Sequence, residues 1–140
     1  MPEPATGDKY FGTVDLRIPG KPEWVAVARL TIAAIANRLP FTVEEIEDLK
    51  LAIAEACTNA IQAGGGNGEP IDIRCETAAD HLRIVVRDRG TKKPEPVPAG
   101  KATPVEGLGV FLIQALMDGV EHSFDAARGS ELIMTKRVGS

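Results

Sequence analysis

Glu55 and Asn59 are the residues whose types and spacing best suit chemistry. They lie four apart in Asp48-Leu-Lys-Leu-Ala-Ile-Ala-Glu55-Ala-Cys-Thr-Asn59-Ala-Ile, a segment that reads as a helix. On a helix the two side chains leave one side about 40 degrees apart. A carboxylate there can accept a proton from a hydroxyl, and an amide oxygen suits a hard cation such as Mg²⁺. The pair alone is weak evidence, since on most helices such a pair is part of a solvated face. Asp88-Arg-Gly90 adds a second acid at the end of a strand-like segment. Leu82, Ile84 and Val86 share one face there, and Asp88 is next in that register. A core-facing carboxylate is costly without a hydrogen-bonding partner; alternatively, the strand has ended and Asp88 begins a solvated turn. Gly107-Leu-Gly109 precedes a helical pattern. Glycines at a helix start let an anion approach its free N–H groups, although a plain loop-to-helix turn has the same pattern. The sequence holds no Gly-x-x-x-x-Gly-Lys-Ser/Thr run, which excludes a P-loop enzyme.

The elements that must position these groups follow from periodicity. Phe11 to Ile18 alternates as a strand, and Pro19–Pro22 turns the chain. Glu23 to Leu39 repeats apolar residues at helical spacing (Val27, Leu30, Ala34, Ile35) until Pro40 stops it. Thr42 and Glu45 fit a capping box for a second helix, whose core stripe is Ile46, Leu49, Ile53, Ala56 and Ala60 and which ends near Ala63. Ile71–Thr77 and His81–Asp88 read as a hairpin. Pro94, Pro96 and Pro98 make Thr91–Glu106 an irregular loop, and Leu108–Met117 a third helix with Leu108, Phe111, Leu112 and Ala115 on one side. Gly119–Phe124 and Glu131–Val138 form a last hairpin. This β-α-α-β-β-α-β-β order predicts an α+β fold, a mixed but mostly antiparallel sheet with helices layered on one face.

The 140 residues suit one domain with one core, and 44% hydrophobic content argues against disorder. No apolar run approaches the roughly 20 residues of a membrane span. Met1 to Lys9 has no basic region followed by an apolar one, so a cytoplasmic protein is expected. A net charge of -4 with scattered Lys and Arg argues against direct nucleic-acid contact. Cys57 and Cys75 lack metal-type spacing and read as small buried hydrophobes.

Acid/amide helix, strand-end Asp-x-Gly and Gly-x-Gly, in that order, resemble the N, G1 and G2 boxes of the GHKL ATPase/kinase superfamily. Asp15-Leu-Arg-Ile-Pro, Arg29-Leu-Thr-Ile, Glu45-Ile-Glu-Asp-Leu-Lys50, Glu55-Ala-Cys-Thr-Asn59-Ala and Met134-Thr-Lys136 resemble, more narrowly, the anti-sigma factor serine kinases of the RsbW and SpoIIAB type. The resemblance runs from about Asp15 to about Val138. It implies a two-layer sandwich with the Bergerat ATP-binding fold, residues 1–10 as a flexible tail and 91–106 as an ATP lid. It implies ATP and Mg²⁺ as cofactors, Glu55 as base toward a serine hydroxyl and Asn59 on Mg²⁺. Asp88 would accept the adenine amino group, Gly90 would let the base approach, and Gly107 and Gly109 would receive phosphates. Thr135 would add a water-bridged contact to the base. The implied partners are an alternative sigma factor and an anti-anti-sigma protein, the phosphorylation substrate, both meeting Arg29, with a homodimer as the assembly. The other readings are a nucleotide-gated sigma-factor binder without kinase activity and a switch kinase of the RsbT type. Two departures stand out: a short, proline-rich lid, and Ala63-Gly-Gly-Gly-Asn-Gly68 in place of the family's His-plus-aromatic run.

Overall fold

The computed structural model of the chain describes residues 12–64, 67–89, 104–125 and 127–139. Among these residues, five strands and three helices follow in the order β1 (Gly12–Gly20), α1 (Val25–Ala36), α2 (Val43–Ala63), β2 (Gly68–Thr77), β3 (His81–Asp88), α3 (Pro104–Leu116), β4 (Gly119–Asp125) and β5 (Gly129–Arg137), with a 3-10 turn at Pro22–Trp24. The strands form one sheet in the order β1-β2-β3-β5-β4. All four neighbouring pairs are antiparallel, so the parallel component expected of a mixed sheet is absent among the described residues.

The capping box predicted for α2 forms in full. Thr42 Oγ1 accepts from the Glu45 amide at 3.1 Å and the Thr42 amide donates back to Glu45 Oε1 at 2.8 Å. The same carboxylate accepts from the Gly139 amide at 2.8 Å, tying the end of β5 to the start of α2. The Thr42 amide first, then the Gly139 amide, hold the Glu45 carboxyl below its ordinary range.

Alternation decides the faces of the sheet. Ile18, Ile71, Ile73, Cys75, Leu82, Ile84, Val86, Leu132 and Met134 point to the helix side and pack with Leu49, Ile53, Ala56 and Ala60 of α2. A fully buried Leu or Ile contributes about 1.5–3 kcal/mol, so this single layer of side chains holds helices and sheet together. The α2 stripe is as the sequence predicts, except that Ile46 is only partly buried. In α1 the stripe is turned: Ala28, Ile32, Ile35 and Ala36 are buried, whereas Val27 and Leu30, expected inside, are exposed. In α3 Gly109 and Ile113 are buried, whereas Phe111, expected inside, is 68% exposed. Burial pushes the thiols of Cys57 and Cys75 up to about 12, so neither is a thiolate at neutral pH.

The opposite face of the sheet carries cross-strand ion pairs. Asp15 meets Arg74 at 2.8 Å, Arg17 meets Asp72 at 2.6 Å, Arg87 meets Glu131 at 2.5 Å, and Glu76 pairs with Arg83.

Candidate functional site

Asp88 ends β3 on the helix-facing side, 8% exposed and paired with Ile71 of β2 and Ser130 of β5. The core-facing reading of its register therefore holds, and the solvated-turn reading does not. Ser130, opposite Asp88 on the same face, is also buried, and its Oγ has no hydrogen-bond partner among the described residues. An unsatisfied buried hydroxyl costs about 1–3 kcal/mol, a cost a bound polar group would relieve. Gly129 lets β5 enter hard against the end of β3. Its φ is 98°, and a Cβ there would stand 2.0 Å from the Asp88 carbonyl oxygen and 2.7 Å from Arg89 Cα. Only glycine fits both constraints.

Thr135 lies on the other face of the sheet from Asp88 and Ser130. Thr135 pairs with Arg83 and Gly119 and shares the ion-pair face, away from the helices. It also stands five residues along β5 from Ser130, about 17 Å at strand rise. The register between β3 and β5 was the missing information: Gly129-Ser130 falls opposite Asp88 only once the hairpin alignment is known.

Glu55 and Asn59 are both half-buried on α2, flanked by the buried Ala52, Ala56 and Ala60. Small side chains on that flank let α3 pack close. Gly109 is buried, and a Cβ built on it would meet Asn59 Oδ1 at 2.9 Å and Nδ2 at 3.3 Å. The amide of the first box and the glycine of the third are thus brought into direct contact. Gly107-Leu-Gly109 does not open α3, however. The helix begins at Pro104, four residues before the expected Leu108, so both glycines lie within it. The Gly107 amide is the last of the first four, which lack intrahelical partners, and the Gly109 amide lies beyond them. Gly109 forms a contact surface for Asn59. Gly90 and most of the expected lid, residues 91–103, fall outside the described residues, as does residues 1–10 of the expected tail. Arg29 is exposed on α1. No group of three or more His, Cys, Asp or Glu side chains able to hold a metal occurs among the described residues.

The structure thus brings together a buried acid at one sheet end, a hydroxyl beside it unsatisfied among the described residues, and an acid/amide helix packed on a glycine-bearing helix. Residues 18–136 match the profile of the histidine kinase-like ATPase domain. The serine-protein kinase RsbW of Oceanobacillus iheyensis is 42% identical over 141 residues, covering 91% of this chain and 88% of that protein. The RsbW of Bacillus pumilus is 40% identical over 138 residues, covering 88% and 84%. The crystal structure of the RsbU and RsbW domains of Rv1364c from Mycobacterium tuberculosis matches 91% of this chain with a TM-score of 0.68 at 17% identity. The chain spans 32% of that structure, and the likeness is one of fold. The chain belongs to the histidine kinase-like ATPase domain family and, within it, to the RsbW serine-protein kinases.

Proposed function

We propose that this chain is an ATP-dependent protein serine kinase that also sequesters an alternative sigma factor, and that its kinase substrate is the anti-anti-sigma protein competing for the same surface. The observation carrying the site assignment is the buried Asp88 beside the unpartnered Ser130 hydroxyl. An acceptor and a hydroxyl on adjacent strands match the amino group and ring nitrogen of adenine. Asp88 accepts from the exocyclic amine, and Ser130 donates to the ring, directly or through a water.

ATP, when bound, supplies the phosphoryl group. Asn59 would offer its amide oxygen to Mg²⁺, a cation that takes oxygen ligands and would neutralise phosphate charge. Amides at the start of α3 would be available to the phosphates, where the helix dipole favours negative charge. Glu55, one turn from Asn59, would accept the proton of the substrate serine as its oxygen bonds to the γ-phosphorus and the bond from that phosphorus to ADP breaks, ADP leaving with the electron pair. Positioning and charge neutralisation are most of what this reaction needs.

The protein partners meet α1. Arg29 is exposed on that helix, as are Val27 and Leu30, and Trp24 is exposed just before it. Arginine and tryptophan are residue types enriched among interface anchors. No described helix is long and apolar enough to cross a membrane. The setting we assign is cytoplasmic, with a homodimer as the working unit. Incubation with γ-labelled ATP and the anti-anti-sigma protein encoded beside it tests the activity. Label should appear on a serine of that protein; its absence, with the partner bound, would leave a sigma-binding module without kinase activity.

A further inference from the structure

Lys136 is a buried cation at the end of the sheet remote from Asp88. It follows Leu132 and Met134 on the helix-facing side of β5, opposite Leu82, and its side chain is 7% exposed. Nζ donates to the Leu116 carbonyl oxygen, the last of α3, at 2.8 Å, and lies 3.6 Å from Asp48 Oδ2 of α2. One ammonium group thus joins β5, the C-terminus of α3 and α2. A cation at a helix C-terminus also complements the helix dipole. Burying an ammonium group costs several kcal/mol unless it is paired. An apolar residue would fill the same space without that cost, so core packing alone does not account for a lysine here.

The geometry of α3 supplies an account. Asp48, Ala52, Ala56 and Asn59 lie along one stripe of α2, and α3 runs along it in the opposite direction. Its Gly109 end rests on Asn59, and its Leu116 end reaches Asp48 through Lys136. Gly109 and Leu116 are about 10 Å apart on the helix, and Asn59 and Asp48 about 16 Å. Two contacts therefore fix how far α3 can slide or tilt against α2, one at each end. The Gly109 contact is close: a single added carbon would stand 2.9 Å from Asn59 Oδ1, so any shift of α3 toward α2 is felt first by the Asn59 side chain.

We infer that Lys136 is a positioning residue for the nucleotide site: by holding the C-terminus of α3 it sets where Gly109 and the first turns of α3 stand against Asn59. The inference rests on the site assigned above, and its test separates the two. Lys136→Met, Lys136→Arg and a control, Leu82→Ala, are compared with the parental protein in calorimetric titration with ATP·Mg²⁺ and in kinase assays. Leu82→Ala empties buried space beside Lys136 without releasing α3. Lys136→Met should raise both the Kd and the KM for ATP about tenfold, within the span of measured long-range couplings. Its kcat at saturating ATP should stay within about threefold of parental, because no group touching the substrates is lost. Lys136→Arg should restore most of the affinity, and Leu82→Ala should lose thermal stability at unchanged Kd. Unchanged Kd in Lys136→Met, or an equal loss in Leu82→Ala, overturns the inference. Should Lys136→Met fail to fold, Asp48→Ala removes one of its anchors at a partly exposed position. A rise of about threefold supports the inference, and unchanged affinity ends it. The Gly109 backbone amide resonance of the nucleotide-free protein reports independently of ATP. It should shift in Lys136→Met or Asp48→Ala, and a fixed resonance overturns the positioning role even if the site assignment itself were wrong.

Discussion

Gly109→Ala sets two effects of opposite sign against each other. Within a helix, replacing glycine by alanine stabilises by roughly 0.5–1 kcal/mol, because the unfolded chain loses more freedom at glycine. Against that, the new methyl would stand 2.9 Å from Asn59 Oδ1, 3.3 Å from Nδ2 and 3.5 Å from Cγ. Side-chain carbons essentially never come that close to an oxygen, so Asn59 must turn aside or α3 must shift. Asn59 is half-buried and can rotate, at a rotamer cost of about 0.5–1.5 kcal/mol. The two contributions nearly cancel, and the thermal midpoint of the free protein should move little. Nucleotide binding has no such compensation. A displaced Asn59 forfeits its contact to the metal–phosphate group, about 1.5–3 kcal/mol for a hydrogen bond or ligand to a charged group. At about 1.4 kcal/mol per factor of ten, ATP·Mg²⁺ affinity should fall roughly 10- to 150-fold. Calorimetric titration with ATP, with and without Mg²⁺, alongside a thermal melt, measures both effects. Parental affinity in a folded Gly109→Ala protein would refute the assignment of Asn59 to the site.

Ser130→Ala removes a hydroxyl that has no partner among the described residues. The free protein should keep its stability or gain up to about 1 kcal/mol, while ATP binds more weakly, as melting with and without ATP will report. Asp88→Asn converts part of an acceptor into a donor and should weaken ATP by roughly 1.5–3 kcal/mol, read by calorimetry. Glu55→Gln should lower serine phosphorylation about 10²-fold or more while ATP and sigma-factor binding survive; a parental rate excludes Glu55 as the base. Arg29→Glu should cost each protein partner about 2 kcal/mol or more at unchanged ATP affinity, and full-strength sigma binding would remove Arg29 from the interface.

The sequence carried the elements and the Glu55/Asn59 pair, but not every orientation and not the partner of Asp88 across the sheet. Helix α2 was legible because its capping box and its Leu49–Ile53–Ala56–Ala60 stripe agree. The register of Leu82, Ile84 and Val86 offered Asp88 as a core-facing acid but equally allowed a solvated turn, and only its pairing with Ile71 and Ser130 decides between them. The turned stripes of α1 and α3 were not, since Val27 and Leu30, or Phe111 and Leu112, make patterns as apolar as those that are buried. Which stripe faces inward is decided by the sheet beneath, and no local period records it. Ser130 stayed hidden because β5 has apolar residues on both faces, Leu132 and Met134 on one and Ile133 on the other, so its alternation points neither way. The α3 start was misjudged because Pro104 reads as part of a proline-rich loop, although proline is favoured at the first position of a helix.

The ion pairs on the outer face do something that hydrophobic alternation cannot. Sliding one strand past its neighbour by two residues keeps every apolar side chain on its proper side, so burial hardly opposes that error. Charge does oppose it. Moved two residues either way on β2, β1 would set Asp15 against Asp72 or Glu76; β3 likewise would set Arg83 or Arg87 against Arg74. The same slide of β5 would part Arg87 from Glu131 and bring Arg128 or Leu132 opposite Asp88 instead of Ser130. Exposed pairs of this kind add little to stability in water. Here they act as an alignment code, written on the face that never meets the nucleotide, which ensures that the acid and the hydroxyl on the other face arrive side by side.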